Sequence, residues 1–150
     1  MDQIALGIAT SRVEDYKVVA IWINGRPLID GLKALEAPYA AAEGQPSLAG
    51  MYEGLPPLLV LPPRKHFWGL AQEAYSYGEA GRVSLLEYGL SGVPGDWPFT
   101  VRIQVDGERV SWTDFRQEKR PGWSYAALGS FQFDLSAYRS ALQKAKAEAY

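Results

Sequence analysis

The chain contains no cysteine, which excludes disulfide frameworks, thiolate metal sites of the zinc-ribbon kind and sulfur nucleophiles, and leaves the redox compartment unwritten. It has a single histidine, His66, so a histidine-based metal site would need scattered carboxylates to complete it; no metal and no other cofactor is expected. Long apolar runs are missing as well. The longest aliphatic stretch is Leu58-Leu59-Val60-Leu61, closed by prolines on both sides, whereas a membrane-spanning helix needs about twenty apolar residues. Met1 to Thr10 carries neither a basic leader nor an apolar core ahead of a small-residue cleavage site, so a first strand is expected there and a signal peptide is not. A cytoplasmic protein without membrane association is the simplest expectation. Charge of one sign is also scarce: 15 Lys and Arg face 17 Asp and Glu, for a net charge of -2 and a pI near 5.4. That balance argues against general nucleic-acid binding.

What is present is one domain's worth of chain, 150 residues, with 13% aromatic side chains including five Trp and nine Tyr. A single domain over 1–150 is expected, its aromatics either building the core or lining a site.

Ile4 to Ala9 and Val18 to Ile23 are β-branched apolar runs separated by the charged stretch Arg12 to Lys17, and both predict strands. Asn24-Gly25 predicts a tight turn into a short edge segment through Arg26, Pro27 and Leu28. Asp30 is placed to cap a helix beginning at Gly31, with Leu32 and Leu35 on one face and Pro38 limiting its end; a second short helical turn is expected from Pro38 to Glu43. From Ser47 to Gly69, proline pairs flank the aliphatic run, which predicts an irregular packed segment in place of a linker.

The clearest region is an antiparallel meander over Val83 to Tyr88, Phe99 to Val105 and Val110 to Phe115, where Val101, Ile103 and Val105 alternate with polar residues. A two-residue loop at Asp106-Gly107 would set Ile103 opposite Val110 and Val101 opposite Trp112. Phe131 to Phe133 predicts a last strand. It leads into a helix capped by Asp134, with Leu135, Tyr138, Leu142 and Ala145 as its buried stripe and Phe133 and Tyr138 at the staple positions. The expected fold class is α+β: an antiparallel meander sheet with this C-terminal helix and one or two short N-terminal helices packed on it.

Three features carry candidate chemistry. His66 follows Arg64 and Lys65, whose charges would lower its pKa and keep a neutral base near pH 7; the plainer reading is a packed or surface histidine. The loop Gly89 to Pro98 holds three glycines but has no Gly-Lys-Ser/Thr step and runs into a strand, so it is no phosphate loop; one reading projects Asp96 and Trp97 at its tip, and the plainer one is a turn that simply requires glycine and proline. The densest cluster, Trp112, Asp114, Phe115, Arg116, Lys119, Arg120, Trp123 and Tyr125, interleaves basic and aromatic residues as a stacking or anion-holding surface does. The plainer reading, which the acidity of the whole chain supports, is a lid in which Trp123 and Tyr125 pack down and Arg120 pairs with Asp114 or Glu118.

The residues Trp97-Pro98, Trp112-Thr113-Asp114-Phe115, Arg120, Trp123, Tyr125, Leu128-Gly129, Phe131, Phe133 and Tyr138, with Asn24-Gly25, Pro27-Leu28 and Gly54-Leu55-Pro56-Pro57, resemble a small, uncharacterised bacterial protein family over most of the chain. Many of its members carry a cysteine cluster just before the Trp-Pro. On that alignment Gly89, Ser91 and Asp96 stand at the cysteine positions, so a metal or redox role of such members does not carry over.

The leading expectation is a non-catalytic interaction or ligand-binding protein using an exposed aromatic and basic surface after the central hairpin. Its candidate residues are His66, Trp97, Asp114, Arg120, Trp123 and Tyr125, and its partner a protein, a second copy or a small anion. The alternative is a small hydrolase or transferase that sets His66 beside Asp96 or Asp114 in a cleft. Single-strand nucleic-acid binding ranks third because the whole chain is acidic.

Overall fold

The computed structural model describes residues 1–11 and 15–150, so residues 12–14 of the charged connection lie outside the described residues. The architecture is α+β: two antiparallel sheets, one of three strands and one of five, with a C-terminal helix. The small sheet is β1 (Ile4–Thr10), β2 (Lys17–Ile23) and β3 (Arg26–Pro27), in that order. Asn24 and Gly25 both take positive φ, 53° and 81°, which makes the tight turn that the Asn-Gly pair predicts. The large sheet runs in sequence order through β4 (Tyr52–Gly54), β5 (Arg82–Tyr88), β6 (Phe99–Asp106), β7 (Arg109–Gln117) and β8 (Phe131–Asp134).

Bonds at both margins join the sheets. Asp2 N–H donates to the Gln132 carbonyl at 2.9 Å, while the Gln132 N–H donates to the Asp2 carboxylate at 2.8 Å. On the other side Val19 N–H donates to the Leu55 carbonyl at 2.9 Å. Only glycine fits beside that second seam, because a Cβ on Gly54 would sit 2.1 Å from the Val19 carbonyl oxygen. The curled sheet encloses one core, in which Val19, Leu55, Val60, Leu61, Phe67, Phe99, Val101, Trp112, Phe133, Tyr138 and Leu142 are buried.

Helix α1 (Leu28–Ala42) departs from its predicted form. It begins at once after Pro27, whose φ of -56° suits the entry, so Asp30 sits in the first turn instead of capping it, and it runs through Pro38 to Ala42 as one element. Its buried stripe is Leu28, Leu32, Glu36 and Ala40, so one carboxyl occupies a core position. The Ser47–Gly69 stretch packs as expected but is more regular than its prolines suggest, forming β4 and the short helix α2 (Pro57–Val60).

The β6–β7 hairpin turns at Gly107-Glu108, which sets Ile103 opposite Trp112 and Val105 opposite Val110. The predicted register is therefore displaced by two residues. A two-residue slip keeps apolar side chains on the same face, which is why alternation alone does not fix it. An irregularity between Thr100 and Arg102 brings Asp114 to φ 55°, a left-handed conformation that aspartate tolerates.

Helix α3 (Leu135–Ala149) is capped by Asp134, which accepts from Ala137 N–H at 3.0 Å, and buries Tyr138, Leu142 and Ala145, with Leu135 half-buried. Tyr138 ties it to the core, accepting from Trp112 Nε1 at 3.1 Å and donating to the Phe67 carbonyl. No described helix is long and apolar enough to cross a membrane.

Candidate functional site

On β7, strand β8 covers Arg109 to Trp112. From Thr113 to Gln117, β7 has a strand neighbour on its β6 side alone among the described residues, and the chain after it loops out and returns as residues 118–130. Between this strand edge and the returning loop lies an open groove of about 770 Å³, lined among others by Asp114, Arg116, Glu118, Arg120, Trp123 and Tyr125. Asp114, Arg120, Trp123 and Tyr125, four of the expected site residues, therefore share one groove. Trp97 adjoins it from behind, its ring 5.8 Å from that of Trp123 and nearly perpendicular to it.

The aromatic rings are not an exposed patch. Trp97, Trp123 and Tyr125 are all less than a tenth exposed, which overturns the expected aromatic surface and puts Trp97 inside the fold while Asp96 stays exposed. The reason lies in α1, whose far end lies under the loop. Tyr39 stacks on Trp123 with centroids 5.8 Å apart, and Glu43 accepts from Trp123 Nε1 at 2.8 Å and from Arg120 Nε at 2.9 Å. Arg120 thus pairs with Glu43, not with Asp114 or Glu118, and its guanidinium lies 4.9 Å from the Trp97 ring centroid and 5.9 Å from that of Trp123. The lid reading holds, with a different acid.

Glu36 fastens the lid from below. Fully buried, it accepts from Tyr125 Oη and Tyr52 Oη at 2.6 Å each and from Gly50 N–H at 2.9 Å. Burial raises its pKa above the usual carboxylate value, and the three donors only partly offset that. Gln117 extends the network, its Nε2 donating to Tyr52 Oη at 3.1 Å. Sequence reasoning missed Glu36 and Glu43. The signal available for Glu36 was its place in the 28, 32, 36, 40 stripe.

Asp114 faces a different set of partners. Its carboxylate accepts from the buried Arg82 at 2.6 Å and from Arg116 at 2.8 Å. Arg116 also donates to Glu79 at 3.0 Å, and Arg102 binds Glu79 too. The hydrogen bonds from Arg102 and Arg116 hold Glu79 well below the usual range, at about 2. Thr100 joins this network to Glu118, accepting from Arg82 at 3.0 Å and donating to Glu118 at 2.7 Å. On the same sheet, the buried Glu53 and Glu87 are cross-strand partners, bonded by Tyr16 Oη and Tyr77 Oη respectively, each at 3.1 Å.

His66 lies apart from the groove. It is 1% exposed, and Nε2 donates to the Ser84 carbonyl at 2.7 Å, between the stretch of β5 paired with β4 and the bridge from Ser76 to Val83. Because a carbonyl only accepts, the proton sits on Nε2 of a neutral ring; Nδ1 has no partner among the described residues. Burial pushes its pKa down to about 4, so desolvation and not the neighbouring Arg64 and Lys65 is the cause. Neither expected carboxylate binds it: Asp96 accepts from Ser91 Oγ at 3.1 Å, and Asp114 is engaged by arginines. No group of three or more His, Asp or Glu among the described residues is arranged to hold a metal. No protein family, curated protein or solved structure matches the chain.

Proposed function

We propose that the protein is a non-catalytic binding protein whose site is the groove along the β7 edge, and that the occupant is an extended segment of a partner protein. One observation carries the reading: among the described residues, Thr113 to Gln117 is strand with a neighbour on one side only, and the groove runs along that open side. An edge of this kind offers main-chain donors and acceptors to an added strand, with neighbouring side chains supplying specificity. A peptide main chain suits it better than a free anion, because the groove arginines already face acids, Arg116 with Glu79 and Asp114, Arg120 with Glu43. The hydrolase or transferase reading draws no support from His66, whose one hydrogen bond among the described residues goes to a backbone carbonyl.

Panning a random-peptide display library against the protein, followed by hydrogen exchange of the complexes, tests this. The expected result is enriched peptides that slow exchange at residues 113–117 and along the 118–130 loop. Failure to enrich, or protection confined to other segments, overturns it. A homodimer protected at the same edge would make the occupant a second copy.

A further inference from the structure

Arg120 occupies a setting built like a receptor for cations. Trp97 and Trp123 stand at 81° to one another, 5.8 Å apart, and form a two-walled corner. The Arg120 guanidinium lies over both rings, at 4.9 and 5.9 Å, and Glu43 closes the third side with a forked contact to Nε at 2.9 and 3.1 Å. Trp faces and a carboxylate are the combination that binds guanidinium and methylated ammonium groups, through the ring quadrupole and direct charge. The walls come from three parts of the chain: the loop before β6, the end of α1 and the lid. The corner is braced from outside, since Tyr39 stacks on Trp123 and the Trp123 indole N–H is fixed on Glu43.

Arg120 and Glu43 are the members that reach solvent. Their side chains are 31% and 30% exposed while both rings are under a tenth exposed, and Arg120 Nη1 also donates to the Lys119 carbonyl at 3.0 Å. Its backbone is held separately, by Arg120 N–H on the Gln117 carbonyl and Trp123 N–H on the Arg120 carbonyl, both 2.9 Å. The side chain can therefore swing out through its own torsions with those backbone bonds kept, giving up its contacts with Glu43 and the Lys119 carbonyl. Both Arg120 and Trp123 also line the groove, so a side chain of a bound segment reaches the corner without crossing the core.

We propose that Trp97, Trp123 and Glu43 form a recognition site for a guanidinium or methylated ammonium group, which Arg120 fills in cis until a ligand replaces it. The site is a side-chain pocket of the proposed groove and rests on that reading only for where its natural ligand comes from.

The test uses methylguanidinium alone as probe and follows the tryptophan indole N–H signals by NMR in the full-length protein. In R120A the signals of Trp97 and Trp123 should shift saturably, with a dissociation constant on the order of millimolar. Wild type should bind about tenfold more weakly because Arg120 competes, and R120A/E43Q about tenfold more weakly than R120A because the carboxylate is gone. No saturable shift in R120A, or equal affinity in R120A and wild type, overturns the proposal. Should R120A lose its dispersed spectrum, R120K is read the same way: binding tighter than wild type supports the site, unchanged binding refutes it. Loss of the cage alone leaves peptide protection of residues 113–117 untouched, whereas failure of the groove reading removes that protection and leaves methylguanidinium binding in R120A.

Discussion

Two irregular stretches cover the curled sheet, and they are fastened by different physics. The stretch from Leu55 to Tyr75 is held by Leu55, Val60, Leu61, Phe67 and Tyr75 sunk into the core, with His66 bonded to Ser84. The loop of residues 118–130 buries the Trp123 and Tyr125 rings too, but it is fastened in addition by directional contacts to two carboxylates in and just after α1, Tyr125 on Glu36 and Arg120 with Trp123 on Glu43. Apolar burial is non-directional and indifferent to salt, whereas a polar fastening is specific, sensitive to charge and releasable one bond at a time. The releasable covering is the one beside the open strand edge, where the proposed binding role needs a covering that can give.

The titratable groups sharpen the contrast, because the two coverings respond to acid in opposite directions. His66 has a folded pKa of about 4, below its ordinary 6.5, so its contribution is fully present above pH 6.5 and is lost as pH falls toward 4. Glu36 has a raised folded pKa, so its contribution is fully present below the ordinary carboxylate value and is lost as pH rises through the folded one.

The largest expected effects come from cutting one fastener in each region. Phe67→Ala should cost about 4 kcal/mol in urea unfolding, nearly independent of salt. Glu36→Ala should cost about 3 kcal/mol by stranding two tyrosine hydroxyls and an amide, and should loosen the lid before the rest of the protein, read as early exchange of amides 118–130. A cost below about 1 kcal/mol for Glu36→Ala would mean that the lid is held by ring packing and the comparison fails. Next is the difference in stability between wild type and His66→Phe, measured from pH 6.5 to 4. Wild type should lose about 3 kcal/mol relative to the variant across that window, and parallel curves would show that His66 does not titrate with unfolding. Arg120→Ala should cost about 1 to 2 kcal/mol, shrinking as salt is added, since it removes a partly exposed ion pair and two ring contacts. Smallest is the exposed Lys119→Ala, expected within about 0.5 kcal/mol of wild type.

Much of the fold was legible because it rests on local periodicity. Alternation along β7 and along β6 as far as Ile103, the Asn24-Gly25 turn and the Asp134 cap each depend on residues near one another in the chain, and each appears where those residues stand; Val105, expected on the dry face, is instead 48% exposed near the hairpin turn. The hairpin register escaped because a shift of two residues preserves the alternation. The β4 strand escaped because its three residues are strand only through Tyr88, Glu87 and Leu86 of β5. At the site, the basic and aromatic cluster was visible as composition, and its two faces as packed lid or exposed patch were both written in the same residues.

The sequence by itself determined the class of the fold, the absence of thiol chemistry and the grouping of Asp114, Arg120, Trp123 and Tyr125 near one another, since all of these follow from residue type and short spacing. Only the tertiary structure decided that the rings turn inward, that Glu43 and not Asp114 holds Arg120, that Glu36 is buried and that His66 seals a strand carbonyl. Those choices join residues 18 to 89 positions apart, and a partner at that distance is selected by the curl of the sheet and the volume left in the core, neither of which a local pattern encodes.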